Sequence, residues 1–410
     1  GDQAFDPFFT GTQVIDLRRT TFDGTTGTDI SNPLRHPNLV SAYINASMVY
    51  GNATSTANAL RTLDGTGQLK VLENNLLPLN NTEFFPDGPL PNSNRSLNDP
   101  GALFATGDVR ANENIGLTAM HTVFVREHNR LASEIQSANP ELSGDEIYNH
   151  ARKQVAAQIQ HITYSEYLPL LIGSDALDTY TGYDETADPA ISHLFSAASF
   201  RMGHTQSFSE FLLIDDNGEA LPSVSLREST FNPEIIHQYG IDAILRGLYA
   251  QLAEAIDTKV IDELRNTLFG PPGAGGIDLA AVDIERGRDV GLPDYNQARI
   301  DMGLAPVTSF AEITSDLSVQ AILEQLYDTV NDIDVIVGGL AEDHVPGAMV
   351  GELFQIVIAD QFTRLRDGDR FWHENVQFTQ AELDNIRGTT LERLIQRNTD
   401  ITYLPYYVFY

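Results

Sequence analysis

The stretch TGDVRANENIGLTAMHTVFVREHNRLA, residues 106–132, decides the architecture. Up to Glu113 it reads as turn and loop. From Asn114 onward Leu117, Met120, Phe124, Leu131 and, just beyond the quoted stretch, Ile135 recur at helical spacing, while Arg126, Glu127, Asn129 and Arg130 supply a polar face. Toward the N-terminus the composition changes to Asn, Gly, Pro, Thr and Asp, as in FDGTTGTDISNP at 22–33 and FFPDGPLPNSNRSLNDPG at 84–101, which are turn signals with little periodicity between them. Toward the C-terminus the helical pattern continues. Ser143 and Glu146 form a capping-box pair ahead of Ile147, Val155, Ile159 and Ile162. Further helices are expected near 190–203, 241–268, 317–330, 348–366 and 380–396. GPPGAGG at 270–276 is a turn rather than a phosphate cradle, because its prolines remove backbone donors and no Gly-Lys-Ser/Thr follows. With no repeat and no linker, the pattern predicts one large, mainly α domain with long ordered loops and few short strands: a loop-rich part at 1–113 and a helical core at 114–410.

Composition excludes several functions. The 410 residues carry 57 Asp and Glu against 25 Lys and Arg, a formal charge of −32, and the only lysines are Lys70, Lys153 and Lys259. Such a surface repels nucleic acid and anionic lipid. No run approaches the roughly 18 apolar residues of a membrane helix. The absence of cysteine removes disulfides, thiolate metal sites and a cysteine nucleophile. The first residues lack the basic and apolar regions of a signal peptide. The acidic surface and lack of cysteine are the habit of an exported protein, so a secreted, extracellular location is the expectation.

His121 and His128 share the first long helix, and Glu127 between them invites comparison with a zinc protease. Seven residues at about 1.5 Å each separate the two by about 10.5 Å along the axis, too far for one ion, so both are expected to be packed, hydrogen-bonded histidines. No Gly-x-Ser-x-Gly elbow is present. Asn45, Asn52, Asn80 and Asn94 begin glycosylation triplets, which matter only in a eukaryotic secretory pathway. FRMGHTQ at 200–206 and IERGRDVGLPDYNQAR at 284–299 are more informative. Arg201 and His204 are three apart, as are Asn296 and Arg299, so each pair shares a helix face. Two readings stand for such a constellation: a histidine ligand to haem iron with arginines facing anionic propionates, or a structural histidine beside salt-bridged arginines.

These segments resemble the animal-type haem peroxidases of the peroxidase-cyclooxygenase superfamily, which also have bacterial members, and the resemblance runs nearly end to end. It is carried by SAYINASMVYG (41–51), GDVRANE (107–113), REHNRLA (126–132), FRMGH (200–204), RGRDVGLPDYN (286–296) and LRDGDRFWHEN (365–375). It implies the large, mainly α peroxidase fold and haem b, with His204 as the proximal iron ligand and Asn296 accepting a hydrogen bond from its other ring nitrogen. A neutral amide there pushes less electron density to iron than a carboxylate would. Arg201 and Arg299 fall to the propionate side. Arg110 matches the distal arginine, whose charge stabilises the departing oxygen of peroxide. Glu113 matches the carboxylate that is ester-linked to haem in mammalian members.

Departures from the family pattern matter as much. Asn114 stands where one mammalian member has a methionine bonded to haem, so that bond is impossible and chloride oxidation is placed in doubt. Val290 replaces a histidine. The calcium loop reads Ser41, Tyr43, Asn45, Ser47, and an amide in place of a carboxylate weakens affinity for a hard cation; an ordinary turn and helix start is the alternative. The family's distal histidine has no counterpart, since none of the ten histidines precedes His36. Either the chain is cut and a separate N-terminal chain or segment carries that base, or the base is absent altogether. As general acid-base work contributes about 100- to 10,000-fold, the chain alone is expected to be a poor peroxidase. The expected function is oxidation of phenols or of halides, iodide and bromide before chloride, by hydrogen peroxide. The alternatives are a non-catalytic haem-binding or adhesion module and a fatty-acid dioxygenase of the same superfamily, whose radical tyrosine would fall at Arg201.

Overall fold

A computed structural model describes residues 18–94, 99–266 and 276–404, with Phe8, Thr10, Thr12, Leu268, Val408 and Phe409. GPPGAGG, apart from Gly276, and the extreme N-terminal segment lie outside the described residues. Those described are mainly helical, with one two-stranded antiparallel sheet and isolated bridges among them. No helix among them is long and apolar enough to cross a membrane. The chain folds as two compact units drawn from alternating segments, one from 1–43, 167–208 and 253–370 and the other from 44–166, 209–252 and 371–410.

The second unit is organised by the helices Ile115–Ala138 and Gly144–Ile162, which pack on each other. Both start where side chains cap them: Asn114 accepts from Leu117 N at 2.8 Å, and Ser143 and Glu146 form the expected capping box. The helix Pro233–Ala250 lies against the first of these and against the hairpin formed by Glu210–Ile214 and Ala220–Ser225. The hairpin turns at Asp215–Gly218, where Asp215 accepts from the Asn217 and Glu219 amides and Gly218 has φ +82°. Helix and hairpin approach so closely at Gly247 that a Cβ there would sit 1.7 Å from the Leu212 carbonyl oxygen. The helix expected at 241–268 therefore differs in both bounds. It begins at Pro233, bends at Gly240 (φ +72°) and stops at Ala250. Beyond it Asp257 folds its carboxylate onto the Lys259 amide, and only the short helix Asp262–Asn266 follows.

Glu127, placed by periodicity on the polar face, is fully buried. Arg130, Arg397, Asn398 and Gln158 all donate to it, an enclosed set that satisfies both oxygens. Burial pushes its carboxyl up, but the Arg130 hydrogen bonds and the Arg397 charge outweigh this and hold it below the usual carboxylate range. His121 and His128 are the packed histidines expected. His128 donates from Nε2 to the Gly67 carbonyl at 3.0 Å and accepts from Tyr50 Oη at 2.8 Å, while His121 Nδ1 lies 3.2 Å from Thr106 Oγ1. Burial lowers both to about 4, and lowers His373 to about 3, from an ordinary 6.5.

In the first unit the helix Glu352–Asp367 buries Leu353, Phe354, Val357, Ile358, Phe362 and Leu365, at the spacing of one continuous face. Phe362 completes a ring cluster with Phe195 and Phe200, whose centroids are 4.5 Å apart. That cluster holds the short helix His193–Ala197 and the 3-10 turn Ser199–His204 where a single helix over 190–203 was expected. The helices Leu279–Asp289, Tyr295–Asp301 and Val335–Ala341 pack around them.

Three histidines that stay neutral when folded but charge when unfolded make stability pH-dependent. The unfolded chain binds more protons between about pH 6.5 and 4, so stability is full above that window and falls as the pH drops through it, by up to about 1.4 kcal/mol per pH unit for each histidine. Urea unfolding should show a lower midpoint at pH 5 than at pH 7; equal midpoints would contradict the burial of neutral imidazoles.

Candidate functional site

In the first unit, a 3-10 turn has three residues per turn, so side chains three apart project from the same edge. Arg201 and His204 do so, and both meet Asp283 on the helix Leu279–Asp289, which Asp278 caps through the Ala281 amide. Asp283 is only 4% exposed. One of its carboxylate oxygens lies 2.5 Å from Arg201 Nη1 and the other 2.5 Å from His204 Nδ1. A buried carboxylate is costly unless paired, and here each oxygen has a charged or N–H partner. Arg201 is itself anchored by Nε donating to the Ser196 carbonyl at 3.1 Å. The pairing directs the His204 proton to Nδ1. Its Nε2 has no hydrogen-bond partner among the described residues, on a side chain that is 35% exposed.

Asn296 does not take part. Its Nδ2 donates to the Val307 carbonyl at 2.9 Å and to Asn331 Oδ1 at 2.7 Å, and its Oδ1 accepts from the Val307 amide at 2.9 Å, so the amide is used up closing the loop after its own helix. The expected amide partner of His204 is thus replaced by a carboxylate, Asp283. Arg299 is likewise committed, to Glu342 and Glu352 at 2.6 Å each and to the Ala305 carbonyl at 2.9 Å. The spacing of Asn296 and Arg299 does not bring them to His204, because Asn296 is bonded to Val307 and Asn331 and Arg299 to Ala305, Glu342 and Glu352. The signal that finds Asp283 is its position: an acid between Val282 and Ile284, four residues before the buried Gly287 and so on the inward face.

Arg110 and Glu113 belong to the second unit, on the segment running from Gly107 into the long helix. Gly107 is packed against the chain so tightly that a Cβ would lie 2.1 Å from the Gly51 nitrogen. Asn112 locks the segment by exchanging two hydrogen bonds with the Phe104 backbone, at 3.0 and 2.8 Å, and Thr118 Oγ1 donates to the Ala111 carbonyl at 2.7 Å. On this fixed backbone Arg110 stays exposed at 62% and pairs with Asp108 through Nε at 3.2 Å and Nη2 at 3.1 Å. The Asp108 hydrogen bond raises its pKa further. Glu113 is half-buried and its amide closes a turn onto the Arg110 carbonyl at 2.8 Å. Asn114 has its side chain committed to the helix cap.

The residues expected to ligate calcium make local turns. Ser41 Oγ accepts from the Tyr43 amide at 3.1 Å, and Asn45 Oδ1 accepts from the Ser47 amide at 3.0 Å. Among the described residues no group of three or more His, Asp or Glu side chains is arranged to hold a metal ion. Of the glycosylation triplets, Asn80 is closed to modification in the fold, since it is buried and pairs both amide atoms with the Leu90 backbone.

The family model for animal haem peroxidase matches residues 2–409. Peroxinectin A of Dictyostelium discoideum is 37% identical over 100% of this chain and 77% of its own length. Lactoperoxidase of Mesocricetus auratus is 38% identical over 90% of this chain and 54% of its own, and the peroxidasin homolog of Mus musculus is 36% identical over 90% and 26%. Among solved structures, peroxidase A from Dictyostelium discoideum superposes with a TM-score of 0.91 at 36% identity, covering 99% of this chain and 80% of that one. Oryza sativa fatty acid alpha-dioxygenase, at 21% identity and a TM-score of 0.76, covers 92% of this chain and 66% of that one and shares the fold alone. The chain belongs to the animal haem peroxidase family and so to a class of haem-binding peroxidases. It spans only part of the length of several of these relatives, and a separate chain carrying a distal histidine finds no support among them.

If Asn296 serves its own loop and not His204, Asn296→Ala leaves the Val307 N–H and carbonyl unpaired and costs about 1–3 kcal/mol of stability. The visible spectrum of the haem-loaded protein should stay that of the parent; an altered spectrum with undiminished stability would restore Asn296 to the site.

Proposed function

We propose that this chain is a hydrogen-peroxide-dependent peroxidase that holds haem b through Nε2 of His204. The observation that carries this reading is the Asp283–His204 pair, which occupies Nδ1 and leaves Nε2, on a partly exposed ring, without a hydrogen-bond partner among the described residues. The donor set fits the cofactor, because iron takes neutral imidazole and a second hydrogen-bonding partner on the other ring nitrogen sets its tautomer and orientation. Haem, when bound, supplies the redox chemistry: peroxide gains two electrons and two protons and leaves as two waters, and the electrons come from the donor.

The protein's own residues have separate parts in that exchange. Asp283 accepts the hydrogen bond from Nδ1–H, so the imidazole cannot turn without breaking it. Arg110 offers a permanent guanidinium on a backbone pinned at Gly107, Asn112 and Thr118. Its role is to favour negative charge on the oxygen that departs from peroxide. Asp108 holds the guanidinium in place between turnovers and keeps it from folding onto other carboxylates of this acidic surface.

An ester bond through Glu113 is part of the proposal, supported by its place three residues after Arg110 on the same pinned turn. Calcium at Ser41, Tyr43, Asn45 and Ser47 is a weak site in this reading, because Asn45 spends its carbonyl on the helix start. The donors are small molecules, phenols or the easily oxidised halides, and export from the cell accords with the acidic surface. The dioxygenase reading loses support at Arg201, which stands where that chemistry places a tyrosine and is ion-paired instead.

His204→Ala should abolish stable haem binding, read as loss of the Soret band after gel filtration of the haem-loaded protein. Retention with an unchanged spectrum would exclude His204 as the ligand. Arg110→Ala should retain haem while slowing the reaction with peroxide by about 100-fold or more in stopped-flow absorbance, as loss of one preorganised charge-stabilising group does elsewhere; a rate equal to the parent's would remove Arg110 from the mechanism.

A further inference from the structure

Two further histidines of the first unit, His36 and His193, meet ring to ring, and neither has a part in the haem reading. His36 follows a loop closed on itself: the Asp23 amide donates to the Arg35 carbonyl at 2.9 Å, and the Arg35 amide to Thr26 Oγ1 at 3.0 Å. His193 opens the helix His193–Ala197. The start of that helix is fixed by the Ser192 amide, which donates to Gln361 Oε1 at 2.8 Å, and by Ser192 Oγ, which accepts from the Phe195 amide at 3.1 Å. These two backbones bring Nδ1 of His36 and Nε2 of His193 to 3.1 Å, with the ring centroids 4.8 Å apart and both rings half-buried.

A straight hydrogen bond accounts for one of these distances but not for both. Ring centres lie about 1.15 Å behind their nitrogens, so a linear N–H···N contact of 3.1 Å would separate the centres by about 5.4 Å. At 4.8 Å the rings are tilted off the line that joins their nitrogens. One metal ion about 2.05 Å from each nitrogen, in line with each ring, requires that tilt: for nitrogens 3.1 Å apart it sets the centres about 4.8 Å apart, with an angle of about 98° at the ion. His36 gives a second sign. Its Nε2 is buried with no hydrogen-bond partner among the described residues, whereas His128, a structural histidine, bonds both of its nitrogens. A buried ring left half-satisfied by the protein calls for a partner of another kind.

The donors choose the ion. No third His, Asp or Glu joins the pair among the described residues, so water completes the shell. Two imidazoles without carboxylate or thiolate suit copper, nickel or zinc rather than calcium or magnesium. Burial first, then the charges of His36 and Arg35, hold His193 below the ordinary histidine range, so its ring is neutral at pH 7 and a cation attracted by charge alone finds nothing there. An angle near 90° belongs to a tetragonal shell rather than a tetrahedral one, and Cu2+ heads the order of affinity for nitrogen ligands.

The geometry points to a two-histidine Cu2+ site, in which Nδ1 of His36 and Nε2 of His193 bind one ion and clamp the segment 18–43 onto the helix His193–Ala197. On binding, two copper–nitrogen bonds form and two waters leave the hydrated ion. The proton shared by the rings moves to the outer nitrogen of the ring that carried it, and no electron is transferred.

The test uses the full haem-loaded chain, titrated with copper sulfate in a buffer with excess Mg2+ to occupy surface carboxylates. Isothermal titration should show one tight copper per chain, and pulsed EPR of that copper should show couplings from two imidazoles. His36→Gln and His193→Gln should each weaken binding by about 100-fold or more, since loss of even an outer-shell partner costs a metal site about 10- to 100-fold. Trypsin cleavage after the exposed Arg35 should slow when copper is added to the parent and keep its copper-free rate in both variants. Copper held by a single imidazole, or bound by the variants as tightly as by the parent, overturns the site; cleavage of the parent that is unchanged by copper overturns the clamp. Should His193→Gln not fold, His36→Gln decides alone by the same titration: a loss of about 100-fold supports the site and parent-like affinity overturns it. Loss of haem in His204→Ala and loss of copper in His36→Gln are separate readouts, so either reading can fail without the other.

Discussion

A carboxylate withdrawn from water must find partners for both of its oxygens, and among the described residues the requirement is met at Asp283 by His204 and Arg201. Removing either would leave a buried charge partly unpaired, which is among the more expensive defects a core can hold. The 3-10 turn Ser199–His204 places the two side chains on one edge, and the ring cluster of Phe195, Phe200 and Phe362 keeps that turn in position. Satisfying the acid also settles the tautomer of His204. Stability and function are coupled at this point: the pairing that makes Asp283 tolerable in the core is the pairing that presents Nε2.

His128 and His204 differ in how many of their ring nitrogens are bonded and in how deeply they are buried. His128 has both nitrogens bonded and is sealed in the core, with its pKa held to about 4 by burial. It can bind nothing without losing a native hydrogen bond. His204 has one nitrogen bonded and the other without a partner among the described residues, on a partly exposed ring. The same contrast applies to the arginines. Arg299 spends its guanidinium on two glutamates and a carbonyl, whereas Arg110 stays largely exposed, paired with a neighbour on its own segment.

Much of this was legible in the sequence. The long helix from Asn114, the capping box at Ser143 and the kinship of Arg201 with His204 follow from spacing and residue type alone. Glu127 was misread because periodicity treats a charged residue as outward-facing, and nothing local reveals that Arg397 and Asn398, some 270 residues on, come to meet it. Asn296 was misassigned for a related reason. Its spacing from Arg299 is real, but a spacing does not name the partner, and the polar groups of Val307 and Asn331 were nearer than His204. Asp283 was overlooked because an acid in a chain with 57 acidic residues carries little information until its burial is known.

The central claim is that His204 coordinates haem iron while Asp283 holds its other nitrogen. A crystal structure of the haem-loaded protein tests it most directly. It should show Nε2 of His204 within bonding distance of iron, and Nδ1 still within hydrogen-bond reach of the Asp283 carboxylate. Iron bound by another side chain, or a His204 ring turned so that Asp283 faces a different group, would contradict it.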